Sequence, residues 1–178
     1  IDAGNSPVNE IFTAPISILE RLTLVGYGGN DTFIVNGLPE SVQLVIDAGI
    51  GSDTLELTPA AAVGGQNLDA INDRITFRGG PLFAPAADTD IVNIYDGNNL
   101  SSDTYYVAST WFDKSGFERL DYQRVDQVNL WAGSGNDTIH VNSLSASMAL
   151  TVDSGSGDDR VYIGGANLSG NIHGRVEI

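Results

Sequence analysis

The chain has 178 residues, 42% of them apolar, which is enough for one packed domain and excludes wholesale disorder. Its 23 acidic residues against 8 basic ones leave a formal charge of −15, which argues against nucleic acid or an anionic membrane surface as a partner and favours multivalent cations. With no cysteine and no run of roughly 18 apolar residues, disulfide staples, thiolate metal sites and a spanning helix are excluded.

Taken in chain order, Ile1-Asp2 at the start and strand-like Arg175-Val176-Glu177-Ile178 at the close read as a piece cut from a longer repeat protein. Ile16 to Leu24 is a short apolar stretch, readable as helix or strand. GGNDTFIV (28–35) follows, and its Thr32-Phe33-Ile34-Val35 alternates with a period of two, so Phe33 and Val35 are expected inward and Ile34 outward. Val42-Gln43-Leu44-Val45-Ile46 is a short β-branched strand, and GIGSDTLEL (49–57) restates the motif. The Pro/Ala-rich stretch Gly79 to Ala87 predicts a loop; Asp88 and Asp90 beside it resemble a glycosidase carboxylate pair but are expected to be solvated. A degraded copy of the motif runs through Ile91 to Asp96 and Ser102-Asp103-Thr104-Tyr105-Tyr106-Val107. Tyr105, Tyr106, Trp111, Phe112 and Phe117 predict a non-repeating side element that covers the core, in preference to a sugar-stacking platform. Val128-Asn129-Leu130-Trp131, GSGNDTIHV (133–141) and GSGDDRVYI (155–163) complete the series, with Ile139 and Val141 inward and His140 outward.

The motifs repeat at two scales. Their anchor aspartates are Asp31, Asp53, Asp137 and Asp159, so 53 − 31 = 22 and 159 − 137 = 22, while 137 − 31 = 106. Without a gap at that offset, Leu24 to Asp53 matches Leu130 to Asp159 at 14 of 30 positions, where chance gives about two. Gly65-Gln66-Asn67-Leu68 is echoed by Gly165-Ala166-Asn167-Leu168, and Arg74-Ile75-Thr76-Phe77 by the final four residues. A period near 22 is what one coil of a solenoid needs, with glycine where the chain reverses. The expected fold is therefore all-β: a right-handed parallel β-solenoid with coils of about 22 residues. It forms a single segment over 1–178, with a first repeat unit at about 17–122 and a partial second unit at about 123–178.

The motif resembles the calcium-binding nonapeptide of haemolysin-type (RTX) toxins, G-G-x-G-x-D-x-U-x with U apolar. Gly49, Gly51, Asp53 and Leu55 fit it, as do Gly133, Gly135, Asp137 and Ile139, and Gly155, Gly157, Asp159 and Val161. In the first copy Gly26, Gly29, Asp31 and Phe33 fit but Tyr27 replaces a glycine, and in the others the leading glycine is Ala48, Ala132 or Ser154. Those toxins repeat the nonapeptide in tandem, whereas here it recurs once per 22 residues, which is closer to the degenerate GNDT repeats of very large bacterial surface and secreted proteins. The resemblance implies a parallel solenoid, an extracellular or cell-surface setting, and Ca²⁺ held between stacked turns.

The residues argue for a cation on their own terms. Stacked in register, Asp31 lies over Asp53 and Asp137 over Asp159 at about 4.8 Å, a repulsion of roughly 1 kcal/mol in water and about 3–4 kcal/mol at a protein-like dielectric. Asp47 and Asp153 enter the same turns, Asp158 adds a further acid, and Asn30 and Asn136 add neutral oxygens. Ca²⁺ takes six to eight hard oxygens of this kind, and no imidazole or thiolate cluster points to zinc or copper. The competing reading is that these Asp and Asn side chains only cap turns. His140 and His173 lack any catalytic context, and the N-x-S/T sequons at Asn30, Asn99, Asn136 and Asn167 are incidental to the repeat. The expected role is a non-catalytic, structural or adhesive module of an exported protein, whose partners are Ca²⁺, neighbouring repeats, and cell-surface glycans or further copies of itself. Two alternatives stand beside it. One is a polysaccharide-binding or polysaccharide-cleaving β-helix using Asp113, Lys114, Glu118, Arg119 and Arg124; the other is a metal-free spacer or filament subunit.

Overall fold

The computed structural model describes residues 20–58, 66–80, 88–164 and 172–178. Among them, short period-two segments become fourteen strands: β1 (Arg21–Val25), β2 (Thr32–Val35), β3 (Gln43–Asp47), β4 (Thr54–Leu57), β5 (Ile75–Arg78), β6 (Ile91–Tyr95), β7 (Thr104–Ala108), β8 (Trp111–Lys114), β9 (Phe117–Gln123), β10 (Gln127–Trp131), β11 (Thr138–Val141), β12 (Ala149–Asp153), β13 (Arg160–Ile163) and β14 (Arg175–Glu177). A single 3-10 turn, Leu68–Ala70, is the helical element of the described residues. The stretch that read as helix or strand resolves as β1 over its described part; residues 16–19 lie outside the described residues, as do 81–87 and the echo at 165–168.

The strands form two sheets. The first has the order β1-β3-β5-β9-β8-β7-β11-β13 and the second β14-β12-β10-β6-β4-β2. Every pairing is parallel except those of β8 with β7 and β9, which are antiparallel. From β1 to β6 and from β9 to β13 the chain alternates between sheets at each strand, and each pass lays a strand beside its predecessor. Apart from β8, which turns Lys114 inward beside Phe112, one face of each strand is apolar and turned toward the other sheet, so the two inner faces share one core. Leu55, Leu57, Val92, Ile94, Val128, Ile139 and Val141 are fully buried there, with Leu130 and Leu150 nearly so. Phe33 from the second sheet meets Phe77 from the first edge-on at 6.4 Å. The expected orientations hold: Val35, Ile139 and Val141 are buried, Phe33 packs on the core, Ile34 is exposed and His140 faces outward.

Spacing along the chain is less uniform than a 22-residue period predicts. The register is 22 residues for Arg21↔Gln43, Thr32↔Thr54, Gln127↔Ala149 and Thr138↔Arg160. It lengthens to 31 for Leu44↔Ile75, 37 for Thr54↔Ile91 and 36 for Ile91↔Gln127, the last because β7, β8 and β9 lie between the two passes. A parallel ladder fixes only the strand-to-strand spacing, so surface connections of different length are tolerated.

The largest departure lies in residues 104–123. Tyr105, Tyr106, Trp111, Phe112 and Phe117 do not form a separate cover over the core: β7, β8 and β9 are a meander within the first sheet, and Tyr105, Phe112 and Phe117 are themselves core. The sequence repeat is matched strand for strand, since adding 106 to the bounds of β1, β2, β3 and β4 gives those of β10, β11, β12 and β13. Yet each related pair lies in opposite sheets. From β1 to β9 the chain makes seven alternating visits to the two sheets, the meander counting as one, and because seven is odd the following unit starts in the other sheet.

Candidate functional site

The turns that carry the motif are built around close backbone approach. A Cβ on Gly51 would overlap the Gly29 carbonyl oxygen, one on Gly155 that of Gly133, and one on Gly157 that of Gly135. Gly51, Gly155 and Gly157 also have φ of 135°, 81° and 134°, values that side-chain-bearing residues rarely adopt. Only glycine lets consecutive turns stack so closely.

On these turns the aspartates form ladders. The Asp31 N–H donates to Asp53 Oδ1 at 2.7 Å, the Asp53 N–H to Asp90 Oδ1 at 3.0 Å, and the Asp90 N–H to Asp126 Oδ2 at 3.0 Å. These residues lie where the chain leaves the first sheet for the second. Where it returns, the Asp103 N–H donates to Asp137 Oδ1 at 2.8 Å and the Asp137 N–H to Asp159 Oδ1 at 2.9 Å. The two motif pairs therefore sit in two columns at opposite strand ends. Beside each ladder runs a second of opposite sense. Asn30 Oδ1 accepts the Ser52 N–H and Ser52 Oγ the Thr89 N–H. In the other column Ser102 Oγ accepts the Asn136 N–H, and Asn136 Oδ1 the Asp158 N–H.

Asp53 and Asp137 each spend Oδ1 on a rung and leave Oδ2 over, while Asp31 joins its ladder through its backbone N–H. Oδ2 of Asp31, Asp53 and Asp137 is buried with no hydrogen-bond partner, and Asp53 and Asp137 have no exposure at all. An ionised, unpartnered carboxylate oxygen out of water is costly. Burial is the first cause that lifts the proton affinity of Asp31, Asp53, Asp90 and Asp137. Asp53 reaches about 6: its bond from the Asp31 N–H pulls down, while Asp90, Asp31 and Asp88 push up.

The remaining sequence candidates fall elsewhere. Asp47 ends β3 at an outward position and takes no part in the ladder hydrogen bonds; its carbonyl accepts the Gly26 N–H at 2.9 Å. Asp153 is exposed and caps the Gly155 N–H locally. Asp158 is exposed, and Asp159 half-buried as the last rung. Among the described residues no three acidic or imidazole side chains converge as a metal-binding group. Any cation would therefore draw on the ladder carboxylates together with the turn carbonyls.

The sequence reading placed Asp90 in solvent, but it is 3% exposed and a full rung, also accepting the Gly80 N–H through Oδ2. Asp126 and Asp103 are rungs that the Gly-x-Asp motif missed. A simpler signal finds all seven: an aspartate two residues before the first inward apolar residue of a strand, as in Asp90/Val92, Asp126/Val128 and Asp103/Tyr105.

One acid cluster carries its own cation. Lys114, the chain's sole lysine, sits inside the β8–β7 junction with 1% of its side chain exposed. Its Nζ is 2.6 Å from Asp69 Oδ1, 3.3 Å from Asp103 Oδ2 and 3.5 Å from Asp96 Oδ2. Asp96 is fully buried and accepts from the Leu68 N–H, the Tyr105 hydroxyl and the Asn99 amide. Of the five charged residues considered for an enzyme, Lys114 is thus enclosed. Arg119 lies outside over Trp111, and Arg124 is occupied by the Gly79 and Gly80 carbonyls. No helix among the described residues is long and apolar enough to cross a membrane. No family model matches the chain, and no curated protein or solved structure matches it.

Proposed function

We propose that the chain is a structural module of an exported bacterial surface protein: a parallel β-solenoid whose stacked turns are held by aspartate ladders and tightened by Ca²⁺. Alternation between two sheets through one core supports the solenoid, and the strong preference of parallel crossovers supports a right-handed one. The observation that carries the cation is the set of orphaned Oδ2 atoms on Asp31, Asp53 and Asp137. The donors on offer there are all oxygen, which suits a hard divalent ion. Asp31 and Asp53 would hold an ion in one column and Asp137 another in the second, with the turn carbonyls completing each shell, and bound Ca²⁺ would supply the positive charge that the ladders lack. Outside the cell, where calcium is abundant, the stacked passes would lock; in low-calcium cytoplasm they would stay loose enough for export.

A metal-free ladder is the second reading, favoured by rungs that close without any ion and by the proton affinity of Asp53. Thermal unfolding at pH 7.5 with 5–10 mM Ca²⁺ against excess EDTA separates the two, at about 5 to 100 times a Kd of roughly 0.1–1 mM. The calcium reading expects the melting temperature to rise by several degrees in Ca²⁺ and expects Asp53→Asn with Asp137→Asn to abolish that rise. Equal melting temperatures in both buffers would leave the metal-free ladder.

A further inference from the structure

Away from the ladders, the outer face of the first sheet holds an open cavity of about 400 Å³ over β5 and β9, lined by Thr76, Arg78, Thr110, Asp121, Tyr122 and Gln123. Its size falls within the range of small-ligand sites, about 300–1,000 Å³. In a chain of charge −15 it gathers an unusual share of the cations. Asp121 is bound on one oxygen by Arg74 Nε at 2.9 Å and on the other by Arg119 Nε at 2.7 Å. Two guanidiniums thus saturate the one carboxylate in the floor and leave an excess of positive charge.

Arg78 adds a third. It is half-buried on the outward face of β5, and its guanidinium has no hydrogen bond or ion pair among the described residues. The side-chain amide of Gln123 and the hydroxyls of Thr76 and Thr110 are likewise without partners there. A half-buried guanidinium without a hydrogen bond or ion pair, set between Asp47 and Gln123 across the ladder and near the Thr76 and Thr110 hydroxyls, suits a carboxylate attached to a hydroxyl-bearing body. Trp111 stands directly across from Asp121 on β8 with Arg119 over one face of its ring at 4.7 Å, a flat apolar wall of the kind sugar rings pack on.

We propose that this groove binds a carboxylated sugar residue of a glycan, with Arg78 taking the carboxylate and Gln123, Thr76 and Thr110 the hydroxyls. A uniformly charged polyanion is disfavoured by the surrounding acidic surface, so the ligand carries isolated carboxylates among neutral sugars. The groove is separate from the ladders, and its binding does not depend on whether they take Ca²⁺.

The test is calorimetric titration of the whole chain, in EDTA and in Ca²⁺, with a trisaccharide carrying one uronate, its neutral counterpart, and sodium acetate. The expected result is saturable binding of the uronate trisaccharide in both buffers, with the neutral sugar and acetate each at least tenfold weaker. Arg78→Gln and, separately, Gln123→Ala should each weaken the uronate trisaccharide several-fold to tenfold without shifting the melting temperature. No binding of that sugar, undiminished binding by Arg78→Gln, or equal affinity for acetate would each overturn the assignment.

Discussion

Asp53 is out of solvent, gives one oxygen to the Asp31 N–H, and has no partner for the other. Its carboxyl, about 3.8 in the unfolded chain, is raised to about 6 in the fold. A group raised in this way contributes stability that is fully present below about pH 3.8 and lost as pH rises through about 6, about 3 kcal/mol in all. Asp31, Asp90 and Asp137 shift in the same direction. The chelated protein should therefore melt higher at pH 5 than at pH 7.5, and Asp53→Asn should shrink the difference; a melting temperature that falls on acidification would refute this. The glycines separate two effects. Gly29 and Gly51 both have positive φ, but a Cβ on Gly29 meets nothing within 4 Å, whereas one on Gly51 overlaps the Gly29 carbonyl. Gly29→Ala should cost about 1–3 kcal/mol in urea unfolding, from backbone strain alone, and Gly51→Ala distinctly more, since two turns must move apart. Asp31, Asp53, Asp137 and Asp159 were legible because a Gly-x-Asp turn announces each. Asp90 and Asp126 were not, because their turns lack those glycines and only the strand phase that follows marks them.

At the scale of elements, the meander is where sequence reading stopped short. The passes β1 to β4 and β10 to β13 were legible because their alternation and 22-residue spacing are local properties of the chain. Whether residues 104–123 leave the sheet or reverse within it depends on pairing with β5 and β11, which no short-range pattern encodes. Lys114 makes that reversal tolerable. On β8 it occupies an inward position, opposite Tyr105, and would be an isolated buried charge without Asp69, Asp96 and Asp103. Conversely, Asp96 and Asp103 would be uncompensated without Lys114. Lys114→Met should thus cost about 3–5 kcal/mol in chemical denaturation, as breaking one side of a buried ion pair does. Asp69→Asn should cost far less, because that side chain is half exposed. A loss of under about 1 kcal/mol for Lys114→Met would mean that the surrounding hydrogen bonds already satisfy the acids.

Across the whole molecule, repeat-related positions differ only in where they stand in the stack. Leu57 and Ile163 occupy the same place in the repeat, 106 residues apart. Leu57 lies on β4 between β2 and β6 and is fully buried, while Ile163 lies on the outermost strand of the other sheet and is 37% exposed. The same contrast holds for Leu55 on β4 and Val161 on β13. Burial in this architecture comes from having a pass on both sides. A repeat stack of this kind gains stability from neighbour interfaces, so its ends open before its middle. Leu57→Ala should cost about 2–5 kcal/mol and Ile163→Ala less than half as much. Native-state hydrogen exchange should rank the amides in parallel, with β1, β13 and β14 exchanging first and β4, β6 and β10 approaching the global unfolding limit. Because β1 and β13 flank the same sheet at opposite ends, fast exchange at both, with protection rising inward, is the signature of a stack. Uniform protection across all strands, or a protected β13, would show instead that the molecule unfolds as one unit whatever the layer.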